Sequence, residues 1–191
     1  SDPAKAWEQY VADMGTALVG EIRKADIPKW MDNVFAGLGD KITTQGLDAA
    51  LQQIAKIDGA FTQLGWHIGY LADISGDTQT ALLELSGGID GLMANAGAYY
   101  ENFYSDSERR AATQRQLSKA FEGLDLKLPD IDASDARAQF RSLAEAQDLT
   151  TEAGRKTYAA LLGLSGAFAG VTQSAEDAAS AAKQLADEQE R

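Results

Sequence analysis

The chain has 191 residues, 45 % of them apolar and 24 % charged, with a formal net charge of −12. It contains no cysteine and one histidine, which excludes a disulfide framework, a zinc-thiolate site, a cysteine nucleophile and a cage of several histidines. The acidic balance argues against binding to a phosphate backbone, which needs clustered Lys and Arg, and no Lys or Arg occurs from Ile57 to Glu108.

Only three prolines interrupt the chain, which favours long helices. It opens Ser1-Asp2-Pro3 with no initiator Met and no basic-then-apolar leader, and it is expected to be a piece of a longer protein. Pro3 suits a first helical turn. Trp7, Tyr10, Val11, Met14, Leu18, Ile22 and Ala25 then follow a helical stripe expected to face the core. Pro28 breaks it, and a short helix carries Trp30, Met31, Val34, Phe35 and Leu38 before Gly37 and Gly39 end the pattern. The aromatics read as core rather than as a ligand site.

Thr43 or Thr44 caps the next helix, whose apolar set is Leu47, Leu51, Ile54, Ile57, Phe61, Leu64, Ile68 and Leu71. A turn at 74–77 leads into the stretch from Asp77 to Tyr104, where Leu82, Leu85, Ile89, Leu92, Ala96, Tyr99 and Phe103 step by threes and fours. One helix of that length would be roughly 40 Å long. With its predecessor it forms an antiparallel hairpin, in which Gly65 and Gly69 meet Gly87 and Gly91 at close approach. Leu85→Asp is expected to unfold that hairpin. Ser105 to Glu108 has capping-box spacing and opens a third helix with Leu117, Ala120, Phe121 and Leu124 on its face. Its Arg109, Arg110, Arg115 and Lys119 read as a solvated face.

Asp125 to Ala133 reads as an acidic linker around Pro129. Ser134 is expected to cap a helix bearing Ala136, Phe140, Leu143, Ala144 and Gln147, and Thr150 or Thr151 caps the last one. The segment 78–92, TQTALLELSGGIDGL, echoes 157–171, TYAALLGLSGAFAGV. The pattern therefore predicts a degenerate helical repeat, with Leu161, Leu164 and Phe168 as the second seam. From Thr157 to Ala175 no residue is charged, close to the roughly 20 residues of a membrane span. Its threonines and serines favour a core helix instead. The expected fold is all-α, with divisions at 1–42, 43–124, 125–133 and 134–191, the last ending in a charged tail from Glu176.

Residues that could carry chemistry are sparse. His67, beside Trp66, reads as structural. Gly163-Leu164-Ser165-Gly166-Ala167 lacks the last glycine of a nucleophile elbow and sits mid-helix. No GxGxxG or GxxxxGK string occurs. Asp130, Asp132 and Asp135 miss the EF-hand register, with Asp135 where Gly is required and Arg141 where Glu is required. Glu84, Asp90 and Glu101 stand singly among apolar helix positions. No catalytic, cofactor or metal residue is assigned.

Two strings resemble a known family. Residues 99–109, YYENFYSDSER, and 140–171, FRSLAEAQDLTTEAGRKTYAALLGLSGAFAGV, are similar to the helical segments of tail tape measure proteins of long-tailed bacteriophages. The likeness extends over 78–175, and the first 70 residues resemble nothing in that family. It implies a long helical structural protein in the lumen of the virion tail, present in the host cytoplasm during assembly, that sets tail length and assists DNA delivery. Implied partners are other tape-measure copies, tail-tube and tail-tip proteins and assembly chaperones, with no sequence-specific nucleic-acid contact. Two rival readings follow from the residues. One is a membrane-active protein inserting 157–175. The other is a muramidase-like helical enzyme with a shielded glutamate in a cleft.

Overall fold

The structure is a computed structural model that describes residues 2–189, without the side chains of 174–176 and 178–179. Ser1, the last two positions of the expected tail and those five side chains lie outside the described residues. The described chain is all-helical, with no strand among the described residues. Eight α-helices follow in order: α1 Pro3–Lys24, α2 Lys29–Ala36, α3 Thr44–His67, α4 Gly76–Leu85, α5 Ile89–Phe103, α6 Asp106–Gly123, α7 Ala136–Glu145 and α8 Glu152–Gln189. A single 3-10 turn, Gly69–Leu71, follows α3.

The helices fall into two compact units, Ser1–Ser105 and Asp106–Arg191. The sixth helix therefore belongs with the C-terminal helices, not with the middle pair as the sequence division at 124 had it.

In the first unit, Asp2 caps α1 by accepting from the Ala4 N–H at 3.1 Å, and Pro3 occupies the first turn. Thr43 caps α3 through the Gly46 N–H, and Ser75 caps α4 through the Thr78 N–H. Each hydroxyl or carboxylate satisfies a donor that the first turn leaves without a backbone partner. The core joins Trp30, Ile57, Phe61, Leu64, Leu83, Ile89 and Leu92, and a smaller cluster joins Val19, Phe35 and Ile42.

Two expectations change here. First, α1 buries Ala12, Gly15 and Val19, whereas Trp7, Tyr10, Met14 and Leu18 face solvent. Small residues win the contact because they admit the neighbouring chain: a Cβ on Gly15 would lie 2.9 Å from Ile42 Cγ2. Second, the single helix expected from Asp77 to Tyr104 is two helices. The α4 backbone ends in a reciprocal pair of bonds, Gly88 N–H to Leu83 O at 2.8 Å and Gly87 N–H to Glu84 O at 3.3 Å. This is a Schellman closure with Gly87 at φ +73°. Gly88 follows at φ 106°, ψ −178°, a region open essentially to glycine alone. In the echo, Ala167 stands where Gly88 stands, and α8 runs through without a break. The two similar strings thus fold differently, and the repeat is one of letters rather than of structure.

The glycines expected to line a helix seam instead serve turns. A Cβ on Gly65 would meet Ala72 Cα at 2.8 Å, and one on Gly91 would meet the Ser86 carbonyl oxygen at 2.0 Å. Gly69 and Gly87 meet nothing within 4 Å.

In the second unit, α8 packs on α6 and α7 around Leu117, Phe121, Ile131, Phe140, Leu161 and Phe168. The acidic linker is part of this core: Ile131 is buried, and Leu126 and Leu128 pack against it. A second Schellman closure starts the segment, with Leu126 N–H donating to Phe121 O at 3.0 Å and Asp125 N–H to Glu122 O at 3.0 Å. Asp125 occupies the left-handed position at φ 56°, the place glycine usually holds. Ser134 does not cap α7; Asp135 holds that position and makes no side-chain capping bond. Its carboxylate instead accepts from Gln139 Nε2. Thr151 caps α8 by accepting from the Gly154 N–H at 2.9 Å.

Candidate functional site

The residues singled out as seam positions separate into buried and exposed sets. Ile89 and Leu92 are buried in the first unit and Leu161 and Phe168 in the second, while Leu82 and Leu164 are partly buried against those cores. Leu85 is 85 % exposed, Phe103 75 % and Tyr99 43 %. The correction follows from the break at Gly87-Gly88. It resets the helical phase, so the inward face of α4 is Thr80 and Leu83, and that of α5 is Ile89, Leu92 and Tyr100. The spacing of threes and fours runs across a junction where the helix does not continue.

Two buried threonines, not singled out by sequence pattern, organise the contacts. In the first unit, Thr80 Oγ1 accepts from the Trp30 backbone N–H at 3.0 Å and donates to Gly76 O at 2.8 Å. The Trp30 indole Nε1 donates to Gln79 Oε1 at 2.9 Å. One turn of α4 thereby holds the start of α2, where the chain leaving Pro28 has a donor to satisfy.

In the second unit, Thr172 is fully buried. Its hydroxyl donates to Phe168 O at 3.0 Å and accepts from Arg137 Nε at 3.0 Å. Arg137 Nη2 also donates to Ala169 O and to Gln173 Oε1, each at 2.9 Å. From α6, Arg110 Nε donates to Val171 O at 3.0 Å, and its Nη2 pairs with Asp132 at 2.8 Å. Two guanidinium groups thus dock on carbonyls of one turn of α8, those of Ala169 and Val171. A fixed planar fork suits this, since it satisfies several acceptors while its stem lies along apolar surface.

The pKa values of His67, Asp32 and Asp148 are each shifted by a simple local cause. The His67 ring stacks on Tyr100 at 4.5 Å between centroids and 11° between planes. Burial there pushes its pKa below the ordinary value of 6.5. A hydrogen bond from Arg23 holds the Asp32 carboxyl below its usual range. Bonds from the Thr150 hydroxyl and backbone do the same for Asp148. Asp132 is bound by Arg110, and Asp130 accepts from the Asp132 N–H at 3.0 Å. Among the described residues no group of three His, Asp or Glu side chains is placed to hold a metal. Ser165 donates to Leu162 O at 2.7 Å on an unbroken helix.

Glu84, Asp90 and Glu101 are all exposed. One open cleft of about 430 Å³ is lined by Glu8, Val11, Lys41, Ile42, Thr43, Thr44 and Gln45. Another, of about 390 Å³, is lined by Lys127, Leu128, Pro129, Asp130, Gln139 and Leu143. Each holds a single carboxylate among its lining residues, and Glu8 is exposed. No helix among the described residues is long and apolar enough to cross a membrane. In the uncharged stretch of α8, Leu161, Phe168 and Val171 are covered within the second unit.

Comparison with known proteins gives no match: no protein family, no curated protein and no solved structure is similar to the chain.

Proposed function

We propose that the chain is a structural segment of a tail tape measure protein of a long-tailed bacteriophage, and that its helices serve to occupy length. The observation that carries this reading is the resemblance of residues 99–109 and 140–171 to helical segments of that family. The all-helical fold is compatible with it, as are contacts built around packing and carbonyl docking rather than converging reactive groups. In this reading the paired helices act as hairpins whose length scales with residue count. Tail-tube and tail-tip proteins, assembly chaperones and other copies of the tape measure are its partners.

The test is location. Antibodies raised against this chain label nothing on intact tails of the source virion but react with tail protein released by denaturation. A virion whose tails contain none of this sequence by peptide mass spectrometry removes the reading.

A further inference from the structure

The face of α1 that the fold leaves uncovered carries a row of large side chains: Trp7, Tyr10, Met14 and Leu18, each between 51 % and 65 % exposed. Trp7 and Tyr10 stack on one another at 5.7 Å, so the row is pre-ordered at its N-terminal end. We propose that this row is where two copies of the chain associate, α1 against α1, running antiparallel about a two-fold axis between Tyr10 and Met14. The inference is independent of the tape-measure reading.

Area supports a second copy as the occupant. At about 200 Å² for each large side chain, the four exposed fractions amount to on the order of 450 Å² per copy. Two copies give roughly 900 Å² from these residues, and flanking Val11 and Ala17 bring the pair to the ~1,000 Å² at which specific association begins. The row is also self-complementary, as a two-fold contact requires. An antiparallel register sets Trp7 against the partner's Leu18 and Tyr10 against the partner's Met14, a large ring facing a flexible or branched aliphatic at each level.

Charge selects the direction. Glu21 lies one turn past Leu18 at the edge of the row and is bound to Lys24 at 3.0 Å. A parallel pair would set Glu21 beside the partner's Glu21. The antiparallel pair holds them roughly 25 Å apart, well beyond the screening length of about 8 Å. A lipid surface is the poorer fit. Membrane-surface helices are rich in Lys and Arg on the polar face, whereas α1 mixes Lys5, Arg23 and Lys24 with Glu8, Asp13 and Glu21, and the whole chain is at −12.

Sedimentation velocity over a concentration series tests the association, and the chain's lack of cysteine makes cross-linking free of background. The wild-type chain is expected to pass from monomer to dimer as concentration rises. Met14→Glu weakens that at least tenfold with an unchanged helical circular dichroism spectrum, and Leu51→Glu, exposed on α3, leaves it intact. Under mild oxidation, a mixture of Trp7→Cys and Leu18→Cys chains yields the mixed disulfide dimer, and neither variant alone cross-links. Monomer at every concentration overturns the proposal, as does a dimer indifferent to Met14→Glu. Self-cross-linking of either single variant overturns the antiparallel direction. A monomer that floats with phosphatidylserine vesicles, and no longer does so as Met14→Glu, assigns the face to lipid instead.

Discussion

Arg137 Nε donates to the Thr172 hydroxyl at 3.0 Å, and that hydroxyl donates in turn to Phe168 O. The pair ties α7 to α8 where Thr172 is fully buried and Arg137 half-buried. A buried donor that loses its acceptor carries its full desolvation penalty. Thr172→Val keeps the shape and removes the acceptor, so it should destabilise the second unit by about 1–3 kcal/mol. Combined with Arg137→Met it should cost less than the sum of the two, with a coupling of roughly 0.5–3 kcal/mol. Denaturant melts of the four-member cycle measure this.

Leu85 and Leu161 are both expected on a helix seam, one in each of the two similar strings, yet the first is exposed and the second completely enclosed. Leu85→Asp should therefore change stability by less than about 0.5 kcal/mol, the reverse of what the spacing alone predicts. Leu161→Ala should cost about 2–5 kcal/mol through lost burial and the cavity left behind. Urea unfolding of both variants checks the contrast.

Asp125 holds a left-handed backbone position at the end of α6. A Cβ there costs about 1–2 kcal/mol, partly offset by the looser unfolded chain that glycine gives. Asp125→Gly should raise stability by about 0.5–1 kcal/mol. Gly88→Ala should lower it by about 1–3 kcal/mol, because φ 106° with ψ −178° lies in a region essentially closed to L side chains. Thermal melts of the two variants should shift in opposite directions.

His67 is held neutral by burial against Tyr100. Its folded pKa lies below the unfolded one, so the unfolded chain binds the proton first. Stability is full above the unfolded value and falls as pH drops through it and on towards the lower folded value. Asp32 and Asp148, both held below the carboxylate range, add a separate loss that begins only in the acid region. Unfolding free energies measured against pH should show the upper step in the wild type and lose it in His67→Phe.

Helical spacing made the all-α class readable, and with it the extents of α1 and α2 and the start of α3, whose expected face runs on to Leu71 although the helix ends at His67. What it concealed was phase and occupancy. Leu82 through Phe103 keep their steps across Gly87-Gly88 because a count of apolar positions does not register two residues at positive φ. The large residues of α1 have the spacing of an inner face, but Gly15 and Ala12 let Ile42 and its neighbours come closer, so the small side wins the packing. Pro129 and three aspartates make 125–133 look like a linker, although Leu124, Leu126 and Leu128 alternate as a segment packed on one side does, and Ile131 is buried beyond them. Thr80 and Thr172 carried no signal at all. A buried hydroxyl is distinguishable from a solvated one only once its partners on another helix are known.

Tail length is the most direct measure of whether this chain occupies distance. In the parent tape measure, an in-frame duplication of residues 106–191 should lengthen every tail by one fixed increment, at most about 130 Å at the helical rise. An in-frame deletion of the same residues should shorten tails by the same amount, both read from electron micrographs of whole virions. A tail-length distribution that stays unchanged in both constructions would contradict the proposed role.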